Sequence, residues 1–272
     1  MPGQTYQPRS FDNPTLALIE QRSSTRLFAA DTPPTPEQRD AVLHAATRAP
    51  SAGAMMMYSI IDIQSQETRD RLAVLCDNQP FIAKAPWALV FVVDYAKWID
   101  LFEHVGCFEP EFVEQTGRSP RRAPHMGDFS IAAQDAVIAA QTAAIAAEAV
   151  GLGTCYIGDV VEHAEEMAEL LKLPVHTMPL CMLVLGTPAK ERPATPHPVE
   201  NIVMPEHYRR ADDAVLDAQV AEMDAMFRPH ATRAGERVID IYTRKHTSTF
   251  MAEMDRSVRA WLANWTGEKP LR

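Results

Sequence analysis

Residues 128–159 read DFSIAAQDAVIAAQTAAIAAEAVGLGTCYIGD, and the reading of this stretch decides the fold. Alanine takes ten of the nineteen positions from Ala132 to Val150, Asp128 can cap the start, and Gly151 and Gly153 end the run. The pattern predicts one long helix whose small side chains let other backbones come close, which suits the packed centre of a fold and also a subunit interface. A membrane span from Ile131 to Gly153 is the competing reading. Gln134, Asp135, Gln141 and Glu148 interrupt it, and its apolar content is mostly alanine, so no span is expected.

Outward from that helix, Thr154 to Ile157 reads as a short strand, Glu162 to Leu171 as a helix, and Leu180 to Leu185 as an apolar strand closing at Gly186. On the other side, Ala88 to Asp94 is a run typical of a fully buried strand, and Tyr58 to Ile63 is β-branched and strand-like. Leu16 and Ile19 mark a short helical face. A second helix is announced at Thr35 by a proline in its first turn, carries Val42, Leu43 and Ala46, and ends near Arg48. Glu67 to Cys76 is helical by the spacing of Arg71, Leu72 and Leu75. Between Tyr95 and Asp128 aromatics mix with Pro110, Pro120 and the basic Arg118, Arg121 and Arg122, so a mobile, irregular excursion over a site is expected. Thr187 to Pro198 holds four prolines and predicts an extended connector. Beyond it, Ala211 to Phe227 and Thr247 to Trp265 carry helical patterns. Helices and strands alternate without the regular rhythm of a parallel sheet. The expected organisation is a core over residues 1–205 and a helical extension over residues 206–272 packing on the core or on a partner subunit.

A chain of 272 residues with 46% hydrophobic content can bury a full core. Its formal net charge of -10 argues against nucleic-acid and anionic-membrane binding, so an anionic ligand must find a local basic site. Residues 1–9 lack the features of a secretory signal, and a cytoplasmic location is expected. Cys76, Cys107, Cys155 and Cys181 are scattered and read as reduced thiols, mostly packing residues. His104 with Cys107, joined by Glu103 or His125, is the nearest approach to a metal pattern. It has no second close pair, and no metal site is expected.

Chemistry concentrates in Arg22, Ser24 and Arg26, followed by the small-residue loop Pro50-Ser51-Ala52-Gly53. Arginine offers a planar fork of donors to phosphate or an electron-rich carbonyl, and hydroxyls with backbone N–H groups can complete such a shell. Taken alone, the same residues also read as a solvated helix end. Five segments in order, however, resemble the nitroreductase family: Arg22-Ser23-Ser24-Thr25-Arg26-Leu27-Phe28, Ala49-Pro50-Ser51-Ala52-Gly53, Gln79 with the segment to Pro86, Gly151-Leu152-Gly153-Thr154-Cys155-Tyr156-Ile157-Gly158-Asp159, and Leu185-Gly186-Thr187-Pro188.

The resemblance implies an α+β fold, a mainly antiparallel central sheet flanked by helices, in an interlocked homodimer. It implies one non-covalent FMN in each interfacial cleft. Arg22, Ser23, Ser24, Arg26, Gln79, Tyr156, Ile157 and Gly158 would come from one chain, and Pro50, Ser51, Ala52, Gly53 and Ala54 from the other. It further implies hydride transfer from NADPH or NADH through flavin N5 to a nitroaromatic, a quinone or a similar small acceptor by a ping-pong mechanism, with no catalytic side chain. Arg244, in the basic segment 242–246, and Phe108 would face substrate or nucleotide, and Met55 to Met57 would form an adaptable apolar wall. Ala54 and the methionines stand where many relatives carry Asn and Gln. Thr195, Pro196 and His197 stand where the family places basic residues on the phosphate, leaving Lys190, Arg192, Arg244 and Lys245 for that role. The alternatives are an FMN-binding sensor or structural dimer without turnover, and a reductive dehalogenase or other redox reaction on the same scaffold.

Overall fold

A computed structural model of the chain describes residues 10–119, 121–190 and 202–272. The strands are β1 (Tyr58–Ile63), β2 (Trp87–Asp94), β3 (Gly153–Ile157) and β4 (Thr177–Gly186), in the spatial order β1-β2-β4-β3. All three pairings are antiparallel, with Tyr58 opposite Val93, Trp87 opposite Leu185 and Gly153 opposite Gly186. The α+β expectation therefore holds. Trp87 to Val93 are buried without a break, as the apolar run requires of a central strand covered on both faces.

The helices are α1 (Pro14–Gln21), α2 (Pro36–Thr47), α3 (Gln66–Leu75), α4 (Pro80–Lys84), α5 (Ala96–His104), α6 (Pro110–Thr116), α7 (Met126–Ala149), α8 (Ala164–Leu171), α9 (Asp213–Phe227), α10 (Glu236–Ile241) and α11 (Thr249–Thr266). Thr35 and Gln38 form a reciprocal cap on α2, the Thr35 hydroxyl accepting from Gln38 N–H at 3.2 Å and Gln38 Oε1 accepting from Thr35 N–H at 2.9 Å. Helix α7 is the alanine-rich segment, and Ala132, Asp135, Ala136, Ala139, Ala140, Ala143, Ala144 and Ala147 face inward against α2 and the sheet. By length and composition α7 is apolar enough to cross a membrane, but this inward row makes it the core helix of the fold. It starts at Met126, before the expected cap. Asp128 acts from inside the first turn, accepting from His125 N–H at 2.7 Å while Arg122 clamps it at 2.7 and 3.1 Å.

The segment after β2 is more ordered than the irregular excursion expected of it. Trp98, Ile99 and Phe102 give α5 an inward face, Pro110 occupies the first turn of α6, and Gly117 closes that helix with a left-handed φ of 64°. Pro110 and the aromatics read there as irregularity are helix punctuation and packing, and Pro120 lies outside the described residues. Cys76, Cys155 and Cys181 are buried free thiols and Cys107 is half-buried. Burial pushes Cys181 up to about 12, which leaves it a packing group.

The described residues fall into two compact units, one within residues 1–21 and 193–252, the other within 22–192 and 253–272. The division runs inside α11 and differs from a single break at residue 205. The C-terminal part of α11 belongs to the sheet-bearing unit, where Trp261 and Trp265 are fully buried and Trp261 Nε1 donates to Val161 O at 2.9 Å.

Candidate flavin-binding site

The segment from Arg22 to Phe28 is laced to one end of the sheet by its backbone. Ser24 forms a parallel bridge with Thr154, Thr25 N–H donates to Thr154 O at 2.8 Å, Ala29 N–H to Thr187 O at 2.9 Å, and Ala189 N–H to Leu27 O at 3.0 Å. Two glycines permit this approach. A Cβ on Gly153 would overlap the Thr25 hydroxyl and lie 2.7 Å from Thr25 Cβ and 2.9 Å from Pro188 Cγ. One on Gly186 would lie 2.5 Å from Pro86 Cγ and 2.9 Å from Phe28 Cδ1. Three of the five motifs thereby meet at one edge.

A fourth motif, Gln79 to Pro86, closes on the same place. The Arg26 guanidinium lies 5.7 Å from the centre of the Phe81 ring on α4. Gln79, at the start of α4, donates through Nε2 both to the Asp159 carboxylate and to Cys76 O, the latter at 2.9 Å. The end of β3 and the residues after it, Tyr156 to Asp159, thus stand beside Gln79. Among them Ile157 is buried, whereas Tyr156 and Gly158 are exposed.

Electrostatics places Arg22 by the end of α7. Burial pushes the Glu148 carboxyl upward, opposed by the hydrogen bond from Thr154 Oγ1 at 3.0 Å and by the charge of Arg22. Burial also pushes up the Tyr156 phenol, again against Arg22, and the phenol donates to Gln141 Oε1 at 3.2 Å. Two arginines, the backbone of Ser24, an amide and an open glycine turn therefore lie close together in a chain that is acidic overall.

The nitroreductase family model matches residues 19–187. The chain is 32% identical to the oxygen-insensitive NADPH nitroreductase of Salmonella typhimurium, over 77% of its own length and 82% of that protein. The chain belongs to the nitroreductase family. It is also 33% identical to an FMN reductase (NADPH) of Bacillus subtilis, over 65% of its length and 67% of the relative. Among solved structures it resembles the NADPH:FMN oxidoreductase from Vibrio harveyi complexed with NAD+, at 25% identity and a TM-score of 0.70, covering 90% of this chain and 98% of that one.

One motif of this nitroreductase-family chain stands apart from the others. The loop after Pro50 is held by Asp135, whose carboxylate, 2% exposed, accepts from Ala52 N–H at 3.0 Å and from Met57 N–H at 3.4 Å. Ser51 Oγ accepts from Met56 N–H at 2.7 Å. These bonds support a strained course, because Ala54 and Met56 have left-handed φ values of 55° and 46°. Asp135 and Glu148 lie thirteen residues apart on one helix, which separates the loop from the Arg22 end by roughly 20 Å at 1.5 Å per residue. A single chain does not bring the loop to Arg22. The loop instead borders an apolar cavity of about 600 Å³ lined by Leu43, Met55, Met56, Tyr58, Trp98 and Leu101. Two of the three methionines form its wall, and Met57 is buried.

Phe108 sits in an aromatic cluster, edge-on to Phe102 at 6.2 Å and beneath Arg121 at 5.2 Å, and it packs against the core. Arg244, in the other unit, is exposed and bound by Asp240 at 2.6 and 2.8 Å. Lys190 is exposed next to Ala189, within the pairing to Leu27. Arg192, Thr195, Pro196 and His197 lie outside the described residues. The sequence reading passed over Asp135, Glu148 and Asp159 as site-building residues. The first two registered only as polar breaks in an apolar run.

Proposed function

We propose that this family member is an FMN-dependent oxidoreductase that takes electrons from NADPH or NADH and reduces a nitroaromatic, quinone or similar small acceptor in a ping-pong sequence. The observation that carries the reading is the convergence of Arg22, Ser24, Arg26, Gln79 and the 156–158 turn at one end of the sheet. Their chemistry fits FMN: guanidinium forks for a phosphate and an electron-rich carbonyl edge, and an amide for a ring N–H or carbonyl. The names of the relatives, an NADPH nitroreductase and an FMN reductase, support the same donor and cofactor.

When bound, FMN would supply the two-electron chemistry that couples oxidation of the nicotinamide to reduction of the acceptor. The chain's residues provide position and field. Arg22 and Arg26 stabilise negative charge at the site, and the Phe81 ring beside Arg26 helps to hold that guanidinium in place. Lys190, next to the pairing of Ala189 with Leu27, is a proposed basic partner for the FMN phosphate. Gly158, with nothing within 4 Å of the point where a side-chain methyl would sit, leaves a flat entry for a planar ring. The Tyr156 phenol, hydrogen-bonded to Gln141 Oε1, forms a neutral wall. No side chain is assigned proton transfer.

The site is completed by a second copy of the chain, contributing its own loop Ser51 to Ala54. The separation of roughly 20 Å along α7 supports this assignment, as does the outer face of α7, where Ile131, Val137 and Ile138 are exposed. Arg244 and Phe108 are the proposed contacts for nucleotide or acceptor.

Initial rates with NADPH varied against a nitroarene or a quinone test the reading. Parallel double-reciprocal lines are expected, since donor and acceptor occupy one face in turn. Intersecting lines, or no turnover with either acceptor class, contradict it.

A further inference from the structure

We propose that Asp159 is a positioning residue that fixes the amide of Gln79, so that Gln79 offers its cofactor a hydrogen-bond acceptor and not a donor. The assignment rests on the proposed FMN site. The two partners of Gln79 Nε2 are the Asp159 carboxylate and the Cys76 carbonyl, and both can only accept. Turning the amide over would set its oxygen against a carboxylate and a carbonyl, an arrangement without a proton to share. The NH2 group is therefore committed to the protein, both of its hydrogens in use, and Oε1 is the end left over. Among the described residues the side-chain hydrogen bonds of Gln79 all run through Nε2, and none is made to Oε1.

The backbone makes the arrangement stiff. Gln79 N–H donates to Ala73 O at 2.8 Å, which ties the residue to the end of α3, and Pro80 follows it in the first turn of α4. Asp159 opens the short turn after Gly158, where Glu162 N–H donates to its backbone oxygen at 3.0 Å. The carboxylate thus reaches Gln79 from the turn that directly follows Tyr156 and Ile157 at the end of β3. One side chain couples two motifs 80 residues apart.

An acceptor selects among the groups on the pyrimidine edge of a flavin. That edge carries two carbonyls and a single N–H, at N3. A glutamine free to turn could serve either type. A glutamine locked by Asp159 can serve only the N–H, so the lock favours a ring with a proton at N3.

FMN and its N3-methyl analogue, titrated separately into the apoprotein and followed by quenching of flavin fluorescence, test this without reference to turnover. The native chain is expected to prefer FMN over the N3-methyl analogue. In Asp159→Asn the amide at position 159 can itself donate, the lock is released, and the preference is expected to shrink by about threefold to tenfold, the worth of one hydrogen bond between neutral partners. Asp159→Ala, and Gln79→Ala with Asp159 intact, are expected to shrink it likewise, which keeps the test available should one variant not fold. Equal preference in native and variant chains overturns the assignment, as does a variant that weakens both flavins by the same factor. Failure of the native chain to bind FMN at all would instead remove the site reading on which the assignment rests.

Discussion

Gly153 shows how a single side chain would obstruct the site. A methyl group there meets Thr25 Cβ at 2.7 Å and Pro188 Cγ at 2.9 Å, and both belong to segments hydrogen-bonded in place. Gly153→Ala is expected to cost about 1–3 kcal/mol by overpacking, read by chemical denaturation, and to weaken FMN binding because the Arg22 to Arg26 segment must move. Glu253 behaves differently. Arg256 holds its carboxyl down at about 2 from the ordinary 4.5, with help from the Ser257 hydroxyl and His163 N–H. A depressed folded pKa contributes stability that is present above 4.5 and lost as pH falls towards 2. The melting temperature should therefore drop across that window, and Glu253→Gln should flatten this part of the acid limb. At this scale the sequence was partly legible. Arg22, Ser24 and Arg26 stood out by residue type and spacing. Asp135 did not, because its partners are backbone N–H groups about 80 residues away, and backbone donors leave no mark in a sequence.

At the scale of elements, α7 ties composition to architecture. Ala139, Ala140, Ala143, Ala144 and Ala147 are fully buried, so the helix lies where only a methyl group fits. Ala144→Leu is expected to destabilise the fold by about 1–3 kcal/mol, seen as a lower melting temperature. The strands and α7 were readable because buried apolar runs and alanine repeats have a period or a length of their own. The segment between Tyr95 and Asp128 was harder, since α5 and α6 are only nine and seven residues long and Pro110, which opens α6, imitates a break. The start of α7 was displaced for a related reason: an aspartate in the first turn satisfies backbone N–H groups as well as one at the cap.

On the scale of the whole molecule, the loop held by Asp135 and the cluster around Arg22 face opposite ends of one helix, and the proposed site needs both. Val137, 48% exposed on the outer face of α7, belongs to the surface proposed to meet the second copy. Val137→Glu is expected to shift sedimentation from dimer to monomer and to lose FMN in parallel; a monomer that keeps native FMN affinity would contradict a shared site. The five-motif order announced the family because it depends on residues spread over the chain. The division inside α11 was not announced, because the buried tryptophans that anchor its C-terminal part belong to an amphipathic pattern that fits packing on any surface.

The most direct measurement is the visible absorption spectrum of the purified protein with FMN, before and after anaerobic addition of NADPH. A bound-flavin spectrum that bleaches with NADPH and returns on adding a nitroarene or quinone is the predicted result. A protein that binds no FMN, or a bound flavin that stays oxidised with both NADPH and NADH, would contradict the account.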